Sequence, residues 1–233
     1  FADKVAADFR NMADAMDISY DAFIRTTEPH HIASAQALWK KVAENDAIYL
    51  GAYEGWYALR DECFYGEDEL IAGPDGQKLA PTGAPVEWVK EPSYFFRLSA
   101  FQDRLLELYE QNPDFLGPHG ARNEIISFVK QGLRDLSISR TSFRWGIPVP
   151  GDEQHVMYVW FDALANYLSA LGYPDASSPR MAYWPASLHL VGKDIARFHA
   201  VYWPAFLMAA GIELPRKVFA NGWWTIEGQK MSK

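Results

Sequence analysis

The sequence predicts an α/β fold in which parallel strands alternate with crossover helices. Three short apolar runs are typical of buried strands, at residues 156–160, 188–191 and 217–220. Helical patterns follow the first two runs, one ending at Gly172 and the other starting at Asp194 and continuing towards Ala210. We expect Pro204 to kink or split that second helix, because proline lacks the N–H that a helix interior uses. Strand and helix in alternation indicate a parallel sheet with crossover helices.

The residues before this region have a different character. Apolar side chains at positions 5, 9, 12 and 16 repeat at helical spacing, which predicts an amphipathic helix over residues 3–17. Residues 48–88 are rich in glycine, proline and aromatic side chains, with a turn signal at 73–76. Similar spacing predicts further helices, over residues 32–44, 94–109 and 123–131.

The composition excludes several classes of protein. With 233 residues, 49% hydrophobic and 22% charged, the chain can bury a core and is not of the disordered type. No apolar run reaches membrane-span length, and the single cysteine, Cys63, excludes a disulfide framework. A net charge of −8 argues against a protein that binds nucleic acid over its whole surface. These features fit a cytoplasmic protein, and we expect the chain to be a segment of a longer one because it opens without methionine.

The turn at residues 191–194, Val-Gly-Lys-Asp, follows a predicted parallel strand. Ligands of such sheets bind at the carboxyl ends of the strands. Gly192 would let a ligand approach the backbone, and Asp194 could accept hydrogen bonds from a ribose or an ammonium group. Taken alone, the pair is better explained by ordinary turn chemistry, in which glycine ends a strand and aspartate caps a helix.

Two helical faces near strand ends carry aromatic side chains. Members of each face recur at spacings of three or four residues, namely Ile195, His199 and Trp203 on one helix and Trp160, Ala163, Leu164 and Tyr167 on the other. Such stripes are usually core, and a lone histidine on one is usually a satisfied core residue. They would also suit a slender apolar ligand, since thioether sulfur favours aromatic edges.

Residues 230–233 read Lys-Met-Ser-Lys, which should occur by chance in roughly one chain of this size in a thousand. Two lysines in a flexible segment can fold over a triphosphate as point charges. A solvated lysine pair is the simpler alternative for the tetrapeptide alone.

Together these motifs resemble the class I aminoacyl-tRNA synthetases, and within them the methionyl family. The lysine tetrapeptide resembles the segment that closes over ATP in this class. The similarity extends over further runs, at residues 23–28, 135–140, 157–164, 191–195 and 199–204. The resemblance implies a Rossmann-like nucleotide-binding domain made of residues 1–40 and 144–233. Residues 41–143 would form an inserted connective-peptide domain.

The resemblance also implies an activity and a set of site residues. The reaction would be methionine activation by ATP with Mg²⁺, followed by transfer to methionine tRNA. The two aromatic faces would form the methionine pocket. ATP would lie against Gly192, Asp194 and the Trp224 backbone, and three cations would serve catalysis, namely Lys233, Lys230 and Arg140.

The sequence departs from some family members at two places. The inserted region lacks the paired cysteines of a zinc knuckle, so we expect no structural zinc. Asn221 stands where some relatives have a histidine beside adenine.

Two alternatives stay open at this point. One is a non-catalytic relative that binds a small ligand or an RNA end. The other is a synthetase for leucine, isoleucine or valine, whose editing insertion would exceed the roughly 100 residues available between positions 39 and 143.

Overall fold

The structure is a computed structural model that describes residues 1–58, 60, 63–73, 76–227 and 229–231. The helices of this part are α1 (Ala2–Ala15), α2 (Pro29–Glu44), α3 (Gln102–Gln111), α4 (His119–Lys130), α5 (Val159–Leu164), α6 (Asn166–Ser169) and α7 (Trp203–Ala210). The strands are β1 (Ile48–Ala58), β2 (Cys63–Tyr65), β3 (Ile71–Ala72), β4 (Lys78–Leu79), β5 (Glu87–Phe96), β6 (Leu116–Gly117), β7 (Leu136–Ser137), β8 (Ser139–Arg140), β9 (Pro148–Val149), β10 (Asp152–Met157), β11 (His189–Gly192), β12 (Val218–Asn221), β13 (Thr225–Ile226) and β14 (Gln229–Lys230).

The mixed α/β architecture with a parallel sheet confirms the predicted fold class. Strands β11, β12 and β6 form the parallel sheet in that order, with His189 opposite Val218 and Gly192 opposite Asn221. A separate antiparallel sheet has the order β2-β1-β5-β7, in which β1 and β2 belong to the glycine- and aromatic-rich region and β5 and β7 lie almost entirely after it. Strand β6 lies within residues 41–143 and nevertheless joins the parallel sheet. The division into residues 1–40, 41–143 and 144–233 stays a prediction.

The first predicted strand differs from the observed one. Strand β10 ends at Met157, and residues 159 and 160 already belong to α5. It pairs antiparallel with β8 and β9, not with the parallel sheet. At its end the Tyr158 N–H donates to the Ile138 carbonyl at 2.7 Å, after which the chain turns into the helix. Apolar residues alone do not distinguish the end of a strand from the first turn of a helix.

A second difference concerns the predicted helix over residues 94–109. Its first three residues are the end of β5, where Phe96 lies opposite Ile48. A 3-10 turn follows at Leu98–Phe101, and α3 begins only at Gln102. The local spacing is helical, but pairing with β1 over ten residues outweighs it.

The helix after β11 is not split at Pro204; it changes type along its length and stays helical into α7. A 3-10 turn at Lys193–Ile195 and a π-helical turn at Phe198–Tyr202 precede α7. Pro204 lies in the first turn of α7, directly after the π turn, and the Ala200 carbonyl that its missing N–H would have bonded accepts the Tyr109 hydroxyl instead, at 2.7 Å. Gly211 ends this helix with φ of 67°, a left-handed conformation that glycine adopts without strain. The residue before the first turn is Gly192, so Asp194 lies inside the turn instead of capping it.

One main core joins the two halves of the chain. Phe206 of α7 contacts Phe96 of β5 and Phe161 of α5, with ring centroids 4.8 and 4.9 Å apart. His31 of α2 is fully buried and bonds Asp162 and Ser169 at 2.8 and 2.9 Å. Helix α2 therefore holds α5 and α6, which carry one of the predicted aromatic faces.

Helix α1 forms as predicted, but none of its residues is buried. Val5 of its apolar stripe is half-buried, whereas Phe9 and Met12 are exposed.

Candidate functional site

The two predicted aromatic faces meet through one hydrogen-bonded pair of side chains. The Tyr167 hydroxyl and His199 Nε2 are 2.7 Å apart. His199 Nδ1 lies 2.9 Å from the Ile195 carbonyl, which can only accept. The His199 ring therefore donates from Nδ1 and accepts the tyrosine hydroxyl at Nε2. Three of the predicted pocket residues are thus linked in a single chain of bonds.

His189 extends this group, although the sequence analysis did not select it. The Trp203 indole N–H donates to His189 Nε2 at 3.2 Å. The His189 ring also packs on Tyr167, with centroids 4.1 Å apart. Along β11, residues 189 and 191 are buried and residues 190 and 192 are exposed. The sequence offers no signal for this, because the leucines on the other side of the strand, Leu188 and Leu190, are more apolar than His189 and yet are exposed.

The four aromatic side chains form a neutral group, named here the aromatic cluster: Tyr167, His189, His199 and Trp203. Burial, with a smaller contribution from nearby His199, lowers the pKa of His189 to about 4. Burial also lowers the pKa of His199, against the opposing effect of its bond to Ile195. Burial raises the pKa of Tyr167 to about 12. At neutral pH none of these groups carries a charge, which suits contact with an uncharged ligand side chain.

Acid should destabilise the folded chain through this cluster. Unfolded histidine binds its proton near pH 6.5, whereas folded His189 does so only near pH 4. The unfolded state therefore binds more protons between these values. The contribution of neutral His189 to the stability of the fold is fully present above pH 6.5 and is lost as the pH falls towards 4. We expect the titration of His189 to lower the free energy of unfolding by about 2 kcal/mol between pH 7 and pH 5.

Urea titrations at both pH values measure this loss, and His189→Gln is the control because glutamine does not titrate. Equal pH dependence in the two proteins would contradict the assignment.

The aromatic face that begins at Trp160 lies partly on a cavity. Trp160 stacks on Phe198, with centroids 3.6 Å apart and an angle of 11° between the planes. Both rings line a cavity of about 800 Å³ that also reaches Tyr158 and Arg140. Phe198 was missed by the sequence analysis, because it lies one residue outside the four-residue stripe of Ile195 and His199.

The remaining pocket candidates differ in exposure. Trp203 is 0% exposed and Leu164 is 1% exposed, so both belong to the core of the described chain. Ala163, Tyr167 and Ile195 are half-buried. Their assignment to a methionine pocket stays a prediction.

Arg140 reaches the cavity between two aromatic rings. Its guanidinium carbon lies 3.7 Å from the Phe143 ring centroid and 5.2 Å from that of Tyr158. Its Nε is buried and has no hydrogen-bond partner within the part of the chain that the structure describes. Because this Nε is covered, an anionic group in the cavity would bind Arg140 through its terminal guanidinium nitrogens.

The turn at Gly192 borders open space. Gly192 has φ of −72°, so its backbone does not require glycine, and an added Cβ would meet no described atom within 4 Å. Asp194 is exposed in the same turn. Lys193 pairs with Glu124 at 3.1 Å and lies 5.6 Å from the Trp223 ring centroid. The turn therefore adjoins the segment that leads into the last hairpin.

That hairpin carries the first signature lysine. Strands β13 and β14 pair antiparallel, with Thr225 opposite Lys230. The Trp224 carbonyl accepts the Met231 N–H at 2.8 Å, and the Trp224 side chain is 79% exposed. Lys233 lies outside the described residues. The backbone of Trp224 is thus bonded to the lysine-bearing strand.

The expectation of a zinc-free protein rests on the single cysteine, Cys63 in β2. Among the described residues, no group of three or more His, Cys, Asp or Glu side chains is placed to hold a metal ion. We expect elemental analysis of the purified protein to find no stoichiometric zinc. Zinc that is bound stoichiometrically and lost on Cys63→Ala would show the expectation to be wrong.

Comparison with known proteins identifies the family. A family model described as tRNA synthetases class I (M) matches residues 1–233. The chain belongs to this family. It is 64% identical to the methionine–tRNA ligase of Rickettsia bellii and 61% identical to that of Mesorhizobium japonicum, over its whole length in both cases. It covers 45% of each of those proteins.

Solved structures of family members agree with the fold. The methionyl-tRNA synthetase of Mycobacterium tuberculosis bound by methionyl-adenylate has a TM-score of 0.84 and 56% identity, over 92% of this chain and 43% of that one. The free form of the same enzyme has the same score with 55% identity, over 95% of this chain and 45% of that one. Among the described residues of this chain, no helix is long and apolar enough to cross a membrane.

Proposed function

We propose that the protein containing this chain is a methionine–tRNA ligase. It activates methionine with ATP to methionyl-adenylate and transfers the methionyl group to the initiator and elongator methionine tRNAs. The observation that carries the proposal is the likeness, at 56% identity over 92% of the chain, to a synthetase bound by methionyl-adenylate. Relatives named methionine–tRNA ligase support it at 60–64% identity.

The methionine side chain would bind against the two aromatic faces. Its thioether is uncharged and polarisable, and sulfur contacts ring edges favourably. Burial keeps Tyr167 and His199 neutral, and the hydrogen bond between them holds both side chains in one orientation. The walls of this site are Trp160, Ala163, Leu164, Tyr167, Ile195, His199 and Trp203.

ATP would bind across the turn at Gly192 and the hairpin beside it. The open space over Gly192 lets the ribose approach the backbone, and Asp194 accepts hydrogen bonds from its hydroxyls. The Trp224 backbone would lie near the adenine. The lysines at 230 and 233 would contact the phosphates, and Arg140 would add a bidentate contact to the leaving group. Mg²⁺ arrives with ATP as part of the substrate.

Activation needs no nucleophile from the protein. A carboxylate oxygen of methionine attacks the α-phosphorus, and the bond from that phosphorus to the bridging oxygen breaks as pyrophosphate leaves. The protein contributes orientation and cations that offset the charge that develops on the phosphates. Mobile lysines suit this role because they can tighten on the phosphates as the charge forms. The proposal includes a cytoplasmic location, where tRNA is charged.

The experiment is ATP–pyrophosphate exchange with the intact protein. We expect exchange that depends on methionine and that leucine, isoleucine and valine do not support. Exchange with none of these amino acids, together with binding of a small ligand or an RNA end, would favour a non-catalytic relative. Exchange driven by a branched-chain amino acid would contradict the methionine assignment.

A further inference from the structure

His189 is not among the site residues that the sequence predicts, yet it contacts two proposed walls of the methionine site. Its ring packs on Tyr167, and its Nε2 accepts the Trp203 indole N–H. We propose that His189 is a positioning residue that orients Trp203 and Tyr167 for methionine. The inference rests on the proposed function, because the ligand of these walls is methionine only if that function holds.

The burial of Trp203 makes the acceptor necessary. Trp203 is 0% exposed and its indole nitrogen can only donate. A buried donor without a partner is costly, so the ring would tilt or the site would loosen if the acceptor were removed. His189 is itself 3% exposed, so water does not easily replace it.

The hydrogen bonds determine the proton positions on both histidines. Because Trp203 donates to Nε2 of His189, the single ring proton of His189 lies on Nδ1. His199 likewise carries its proton on Nδ1, facing the Ile195 carbonyl, and accepts Tyr167 at Nε2. Each neutral imidazole thus holds one aromatic wall through its Nε2. The low pKa of His189 is consistent with this arrangement.

The position of His189 in the chain adds a second role for its strand. Strand β11 begins at His189 and ends at Gly192, the proposed ribose contact. One rigid strand of four residues therefore connects the back of the methionine site to the ATP turn. His189 fixes the position of Trp203 relative to that strand.

A matched pair of variants isolates the acceptor. Glutamine places its amide oxygen near the position of the histidine Nε2, whereas asparagine places its amide near Nδ1. We expect His189→Asn to raise the methionine KM about 5- to 100-fold, with a much smaller change in the KM for ATP. His189→Gln should restore most of the affinity for methionine. Thermal midpoints of both variants, measured on the same samples, separate loss of folding from loss of positioning.

A double-mutant cycle with Trp203→Phe tests whether the effect passes through the indole N–H. Phenylalanine has no N–H, so the difference between asparagine and glutamine at position 189 should vanish in that background. The indole ¹H–¹⁵N resonance of Trp203, assigned through Trp203→Phe, gives a readout that does not depend on activity. It should shift in His189→Asn and stay close to its original position in His189→Gln.

The possible outcomes separate this inference from the proposed function. If the unmodified protein shows no methionine-dependent exchange, the proposed function fails, whatever the indole resonance shows. If exchange is normal but both variants keep the original methionine KM, or both lower only the thermal midpoint, the positioning role is overturned. An equal difference between the variants in the Trp203→Phe background would also overturn it.

Discussion

Replacing Trp203 by alanine is expected to lower the free energy of unfolding by about 3–5 kcal/mol. The indole is 0% exposed and lies among Tyr167, Trp184 and His189, with ring centroids 6.1 and 6.3 Å away for the first two. Its removal leaves a cavity and also leaves the acceptor of His189 without its donor. For a chain of this size the thermal midpoint should fall by roughly 5–20 °C.

Trp203→Phe is the matched control, because it keeps an aromatic ring in the core and removes only the indole N–H and part of the volume. A methionine titration on the same samples distinguishes a wall of the site from core alone. If alanine raised the methionine KM strongly while the thermal midpoint stayed unchanged, Trp203 would be a ligand contact without a structural role. If the midpoint fell and methionine bound normally, it would be core only.

Replacing Lys233 by alanine in the intact protein is expected to slow adenylate formation about 100- to 1,000-fold. Methionine affinity should change little, because a phosphate contact that strengthens in the transition state lowers turnover and not ground-state binding. Single-turnover formation of methionyl-adenylate measures the rate, and equilibrium titration measures the affinity.

Lys4→Ala is a suitable control, since it removes the same charge from an exposed position of α1. A rate of adenylate formation that is equal in Lys233→Ala, Lys4→Ala and the unmodified protein would remove Lys233 from its proposed role. Equal weakening of methionine and ATP binding with an unchanged rate would indicate a ground-state contact.

Features that depend on neighbouring residues could be predicted from the sequence. Apolar runs with turn residues at their ends located β11 and β12, although the split expected at Pro204 is replaced by a π turn that leads directly into α7. Motifs read residue by residue predicted the synthetase family over the whole chain, which the family model confirms. The strand and family inferences succeed because strand burial and short motifs are properties of neighbouring residues.

Features that depend on residues far apart in the chain could be seen only in the folded protein. Strand β10 is antiparallel because β8 and β9 flank it, and residues 94–96 extend because β1 pairs with them. Trp203 is hydrogen-bonded to His189, 14 residues away, and Tyr167 is hydrogen-bonded to His199, 32 residues away. The periodicity of a sequence shows which side of a helix or strand is apolar. It does not show which donor bonds to which ring nitrogen across the core. That choice follows from how strand β11 and the helices around it pack together, and it determines the tautomers of both histidines.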